Sequence, residues 1–257
     1  MNFECLKLDV DGHIATVTLD RPKVNAQNSR MRDEIIQAFD LINDMDDVRV
    51  VILTGAGNCF SAGADITERA SIAAEPGGFW RHNRRTREAP NAIHECFKPV
   101  IAAVNGPALG AGFHVVAACD IILASDNAVF AMPEINVGLA GGASILNRMF
   151  SRSRGRRMFF TGMRLSAQEM YRLGVIEEVV PADRLMEEAR ALAAEIASKS
   201  PIALKLAKEA YNVVEAMPER DAYRFEQNMT FALSKTEDSK EAQRAFLEKR
   251  KPVFKGR

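Results

Sequence analysis

The sequence predicts an α/β fold that ends in a helical extension of about sixty residues. Two observations carry this. Short, wholly apolar runs at residues 100–104 and 121–124 are followed by small or polar residues, as buried strands are. From Ser166 onward the apolar residues recur at helical spacing instead, with one strand-like break at residues 176–180.

The elements follow in order. Residues 3–10 and 14–19 read as the arms of a hairpin turning at Asp11-Gly12, and Arg21-Pro22-Lys23 breaks the second arm. Asn28-Ser29 offers caps for a helix whose apolar face runs through Met31, Ile35, Ile36, Phe39 and Leu41. Residues 49–54 form a buried strand ending in Gly55-Ala56-Gly57. Between the central strands, residues 68–91 read as a polar, mobile insertion with Pro76-Gly77-Gly78 at its middle. Later helical faces run through Leu185, Ala189, Leu192 and Ile196, then through Ile202, Leu206 and Tyr211.

Composition narrows the function classes. Of 257 residues, 34 are basic and 34 acidic, so no net charge attracts nucleic acid or an anionic membrane. No apolar run approaches the ~18–20 residues that span a bilayer. The cysteines, Cys5, Cys59, Cys96 and Cys119, lack CxxC spacing and fit free thiols in a reduced compartment. Residues 1–5 resemble neither a signal nor a transit segment, and a cytoplasmic protein is expected.

Several familiar motifs fail. Gly55-Ala56-Gly57 follows a strand, but Phe60 stands where a dinucleotide fingerprint needs its third glycine. No GxxxxGK, HExxH or GxSxG is present. His13, His82 and His94 stand alone and suit surface or capping roles, so no metal site is expected. Two other stretches are more informative. Ser61-Ala62-Gly63-Ala64 supplies little core volume, and Asn105-Gly106-Pro107 ends a strand just before Ala108-Leu109-Gly110-Ala111-Gly112 opens a helix. Free N–H groups at such a helix start favour negative charge. With His114 and Glu134 nearby, these stretches suggest an oxyanion hole that carries its own acid–base chemistry. Close helix–sheet packing explains either stretch alone but not the pair.

Residues 19–26, 60–66, 104–112, 119–124 and 132–135 together resemble the enoyl-CoA hydratase/isomerase (crotonase) superfamily. Residues 173–176, 200–208 and 246–250 extend the resemblance to almost the whole chain. It implies a spiral of ββα units at residues 1–197, with CoA and acyl sites, and a helical oligomerisation region at 198–257. It further implies a homotrimer or a dimer of trimers acting on an acyl-CoA thioester, with no cofactor beyond the CoA of the substrate. Ala64 and Ala111 map to the two oxyanion donors, and Glu134 to the principal acid–base glutamate. Lys23, Val24, Ala62, Asp65 and Ile66 map to the CoA loops.

The chain departs from the family pattern at three places. His114 occupies the position where hydratases usually carry a second glutamate, and a nearby Glu134 carboxylate would favour its imidazolium form. Ala111 replaces a glycine, which is harmless only at negative φ. The segment 141–145 lacks a proline and two glycines of the family pattern, which bears on water placement near Gly142. Phe79 and Trp80 in the insertion suggest a lid and a ring-bearing or compact acyl group. Two reactions stay open: hydration of a 2-enoyl-CoA with Glu134 and His114 sharing a water, and Δ3,Δ2-enoyl-CoA isomerisation by Glu134 alone. Decarboxylation or thioester hydrolysis on the same scaffold comes third. The cluster Arg81, Arg84, Arg85 and Arg87 would serve RNA binding as in some relatives, but with zero net charge it reads as a solvated face or as contacts to CoA phosphates.

Overall fold

The computed structural model describes residues 2–257. Strands β1 (Leu6–Asp11) and β2 (Ile14–Leu19) form the antiparallel hairpin that opens the chain. Helix α1 (Ser29–Asp44) starts where the Asn28 side chain accepts from Met31 N at 2.8 Å, and it buries Met31, Ile35, Ala38, Phe39 and Ile42. Strand β3 (Val50–Gly55) then pairs parallel with β2.

The polar insertion expected at 68–91 is ordered in two helices. The segment folds as α2 (Arg69–Ala74) and α3 (Gly78–His94), and α3 packs along α1. Only Gly78, Ala89, Pro90 and Ile93 of α3 are buried, so a narrow stripe had to be found among polar residues. Pro90 inside the helix hid it further, because proline ordinarily ends a helix.

Strand β4 (Val100–Val104) leads into β5 (Ala108–Leu109) and α4 (Ala111–Ala117), then β6 (Ile121–Ser125) and β7 (Val129–Ala131). Helices α5 (Ala143–Met149) and α6 (Arg152–Thr161) precede β8 (Arg164–Ser166), α7 (Ala167–Arg172) and β9 (Glu178–Val180). The last strand is therefore shorter than the 176–180 expected. Helix α8 (Leu185–Ala197) is followed by α9 (Pro201–Val214), α10 (Glu219–Ser234) and α11 (Glu237–Leu247).

The main sheet has the order β1-β2-β3-β4-β6-β9, parallel from β2 onward, and β5-β7-β8 form a smaller one. Both faces of the main sheet are buried. Val51, Leu53, Val100, Ala102 and Val104 face the large core, whereas Val50, Ile52, Ile101 and Ala103 meet Leu185, Ala189, Ala193 and Ala197 of α8. Covering both faces explains why these strands are apolar without alternation. Leu192 and Ile196 are half-buried at the edge of that contact.

On α9 the expected face is corrected: Ile202 and Leu206 are half-buried and Tyr211 is exposed, while Lys208 and Ala210 are buried. Lys208 Nζ donates to Asp120 Oδ2 at 2.8 Å and to the carbonyls of Lys98 and Ile93 at 3.1 and 3.3 Å. This pins α9 to the start of β6. Lys208→Met is expected to lower unfolding free energy by about 1–3 kcal/mol, since it takes the cation from Asp120 and the donor from the Lys98 carbonyl. A urea midpoint unchanged from wild type would refute that.

Candidate active site

The two small-residue stretches lie side by side. Ser61 N donates to Pro107 O at 3.1 Å and Leu109 N to Ser61 O at 2.9 Å, as neighbouring parallel strands do. An added Cβ at Gly63, which has φ +96°, would lie 2.6 Å from Leu109 O and 3.4 Å from Ala111 N. Only glycine lets the backbones approach so closely. Gln27 N donates to Gly63 O and Asp65 N to Gln27 O, which turns the intervening Ala64 N–H away from Gln27. Ala111 is the first residue of α4, where N–H groups lack partners within the helix. Its φ is not positive, so its methyl group is accommodated without backbone strain. The structure thus brings Ala64 and Ala111 together.

The small sheet delivers Glu134 to the same place. Leu109 pairs with Ala131, and Gly110 N donates to Ala131 O at 2.8 Å. Three residues past β7, Glu134 is the second residue of a short 3-10 turn at Pro133–Val137, held by Leu139 N donating to Glu134 O. Its carboxyl group lies directly over Gly110, so a Cβ there would run into Oε1. Oε2 is buried without a hydrogen-bond partner. Burial pushes this carboxyl above its ordinary value.

His114 lies one turn into α4, its N–H donating to Gly110 O. The expected imidazolium is corrected. Burial, and after it the Arg148 guanidinium, push His114 down to about 4. No hydrogen bond or ion pair joins His114 to Glu134 among the described residues, and the nearby charge comes from α5 instead. At neutral pH the ring is uncharged.

The other expected residues form a rim. Ala62 N donates to Val24 O at 2.9 Å, which sets Lys23 and Val24, both exposed, beside 62–66. Asp65 pairs with Arg21 at 2.8 Å, caps the turn at Ile66–Glu68 through Thr67 N, and is held below its usual range chiefly by Thr67 and then Arg21. Ile66 is exposed. Gly142 starts α5 against Met132, two residues before Glu134. Phe79 and Trp80, expected as a lid, stand exposed at the start of α3. Arg81, Arg85 and Arg87 pair with Glu75, Asp33 and Glu88. No cluster of three or more His, Cys, Asp or Glu side chains with metal-binding geometry occurs among the described residues.

Sequence reasoning missed two buttresses. Asn25, buried at φ +51°, donates through Nδ2 to Ala56 O and Cys59 O. Asn105 Nδ2 donates to Gly55 O and Gly57 O. The one available signal was a lone asparagine after each strand break, at residues 20–25 and 104–105.

Fold and site together define an α/β enzyme class in which backbone N–H groups and a buried carboxyl group converge on one loop cluster. The enoyl-CoA hydratase/isomerase family profile matches residues 9–257. The chain belongs to this family, within the crotonase superfamily. It is 38% identical over 267 residues to the carnitinyl-CoA dehydratase of Salmonella typhimurium, covering 99% of each chain. An enoyl-CoA hydratase structure from Bacillus anthracis is 34% identical at TM-score 0.92, covering 99% of this chain and 100% of that one. One from Mycobacterium smegmatis is 31% identical at TM-score 0.90, covering 97% and 98%. The crotonase spiral expected from the sequence is the fold of this protein.

Proposed function

We propose that the chain reversibly adds water across the C2–C3 double bond of a 2-enoyl-CoA. The observation that carries this reading is the Glu134 carboxyl over Gly110, the residue before Ala111, with Oε2 buried and unpartnered. The thioester oxygen sits between the N–H groups of Ala64 and Ala111, each worth about 2.7–4 kcal/mol of barrier. In the dehydration direction, the Glu134 carboxylate removes a proton from C2, and the electron pair moves onto the thioester oxygen. As this enolate collapses, the C2–C3 double bond forms and the C3 hydroxyl leaves as water with the proton held by Glu134. Hydration runs the same steps backward, and one carboxyl group balances the protons. The kinship with a dehydratase supports this direction of reading.

His114 acts in this scheme as a neutral hydrogen-bond partner of the water, where other hydratases use a second glutamate. Lys23, Val24, Ala62, Asp65 and Ile66 hold the CoA, which arrives as part of the substrate, and no further cofactor is invoked. Gly142 flanks the water. Residues 198–257 join copies into a trimer or a dimer of trimers, a reading supported by exposed Tyr223, Phe231, Phe246 and Leu247. Four free cysteines support a cytoplasmic setting. Neither nucleic acid nor membrane is a partner in this scheme.

The missing link between His114 and Glu134 favours a second reading, isomerisation, in which Glu134 alone moves a proton between C2 and C4. Crotonyl-CoA and a 3-enoyl-CoA, incubated separately, distinguish the two. Loss of the conjugated absorbance from the first reports hydration, and its gain from the second reports isomerisation. Hydration is expected; an inert crotonyl-CoA overturns it.

His114→Gln is expected to keep kcat within about tenfold, with an unchanged kcat/KM profile from pH 6 to 8, because the wild-type ring is already neutral there. The stability sign follows from the same shift. His114 binds a proton less readily folded than unfolded, so its stability contribution is full above pH 6.5 and is lost as pH falls toward 4. The variant should lose less stability on acidification through that window. A new inflection near neutrality, or identical acid denaturation, would count against this assignment.

A further inference from the structure

Gln27 touches both halves of the site. Its backbone brackets Ala64: Gln27 N donates to Gly63 O at 2.8 Å, and Asp65 N donates to Gln27 O at 3.0 Å. Its side chain crosses to the other loop, where Nε2 donates to Ala111 O at 3.1 Å and lies 3.5 Å from Ser61 Oγ. The residue is 2% exposed, so no water competes for these bonds. Ser61 is fixed in turn, its hydroxyl donating to Asn25 O and accepting from Gly63 N.

The amide bond to Ala111 is not needed to satisfy that carbonyl, which as the first carbonyl of α4 already accepts from the helix. An apolar side chain of similar length would fill the same space. What the amide adds is a fixed orientation of the Ala111 backbone relative to Ala64. Two donors stabilise one oxygen only when both lie about 2.7–3.1 Å from where its charge develops. We infer that Gln27 is a positioning residue that sets the spacing of the Ala64 and Ala111 N–H groups. The inference rests on the oxyanion reading above, though not on whether the reaction is hydration or isomerisation.

The test uses Gln27→Met, which keeps the length and removes the donor. Expected are a kcat lower by about 10- to 100-fold, as for a misplacement near 1 Å, a KM within about threefold, and an unchanged melting temperature. The second readout is the absorbance of bound 2,4-hexadienoyl-CoA, measured in a Glu134→Gln background so that the probe is not consumed. Polarisation of its thioester carbonyl shifts the band to the red, and Gln27→Met should reduce that shift. Gln27→Glu supplies a rescue, since its buried carboxyl donates to Ala111 O only when protonated. Its red shift should fall as pH rises while that of the background enzyme stays constant. A normal red shift in both variants, with kcat within about twofold, overturns the positioning role and leaves the oxyanion reading intact. No red shift with Gln27 in place overturns both.

Discussion

Glu134→Gln is expected to lower kcat by about 10²- to 10⁴-fold, the usual worth of an acid–base group. Acyl-CoA affinity should stay within a few fold. The amide keeps the shape of the carboxyl group over Gly110 but cannot exchange a proton with C2. Because burial raises the wild-type carboxyl, the acid limb of its kcat/KM profile should lie above the ordinary carboxylate value of 4.5. The variant should lack that limb. Stability moves the other way. A carboxyl whose folded pKa is raised binds its proton more tightly folded than unfolded, so its contribution is full at low pH. It is lost as pH rises through the raised value. At pH 7 wild type therefore carries the cost of a buried, unpartnered carboxylate oxygen, and the variant should melt no lower. Activity within tenfold of wild type, measured alongside thermal melting, would remove Glu134 from the chemistry.

Gly110→Ala is expected to cost at least about 10² in kcat without touching any ionisable group directly. Gly110 sits at φ +53° and ψ −119°, a region that side chains rarely adopt. The added methyl would also drive into Glu134 Oε1, displacing the carboxyl from its place over Gly110. Strain of this kind is worth about 1–3 kcal/mol in stability. Gly141 provides the control, because it has no positive φ and a Cβ there meets open space. Gly141→Ala should behave as wild type in the same assay and melt. Equal activity of the two alanine variants would show that the Gly110–Glu134 contact is not required.

The legible parts of this chain are those set by local pattern. Strand β4 could be read because it is apolar on both faces and Asn105-Gly106-Pro107 stops it sharply. The start of α4 could be read because small residues at a strand–helix junction leave backbone donors free. Helix α3 could not, since Pro-Gly-Gly before it and Pro90 within it mimic a loop, while its packing on α1 is tertiary. Strands β5, β7 and β8 have two or three residues each, too few for any period to show. The charge state of His114 was misread because its governing neighbours come from burial and from Arg148 on another helix. Spacing along the chain suggested Glu134 instead. Gln27 was passed over for the same reason: its two loops meet only in the folded chain.

The two-sided burial of β3 and β4 has a consequence for synthesis. The face made by Val50, Ile52, Ile101 and Ala103 is covered by α8, at Leu185–Ala197. On the ribosome these strands emerge long before the helix that covers them, and meanwhile they present bare apolar surface. Their pairing is also non-local, which slows its formation. The nascent chain therefore passes through a stage in which its strongest strands are its stickiest, and a chain stalled before α8 should be a client for chaperones rather than a folded intermediate.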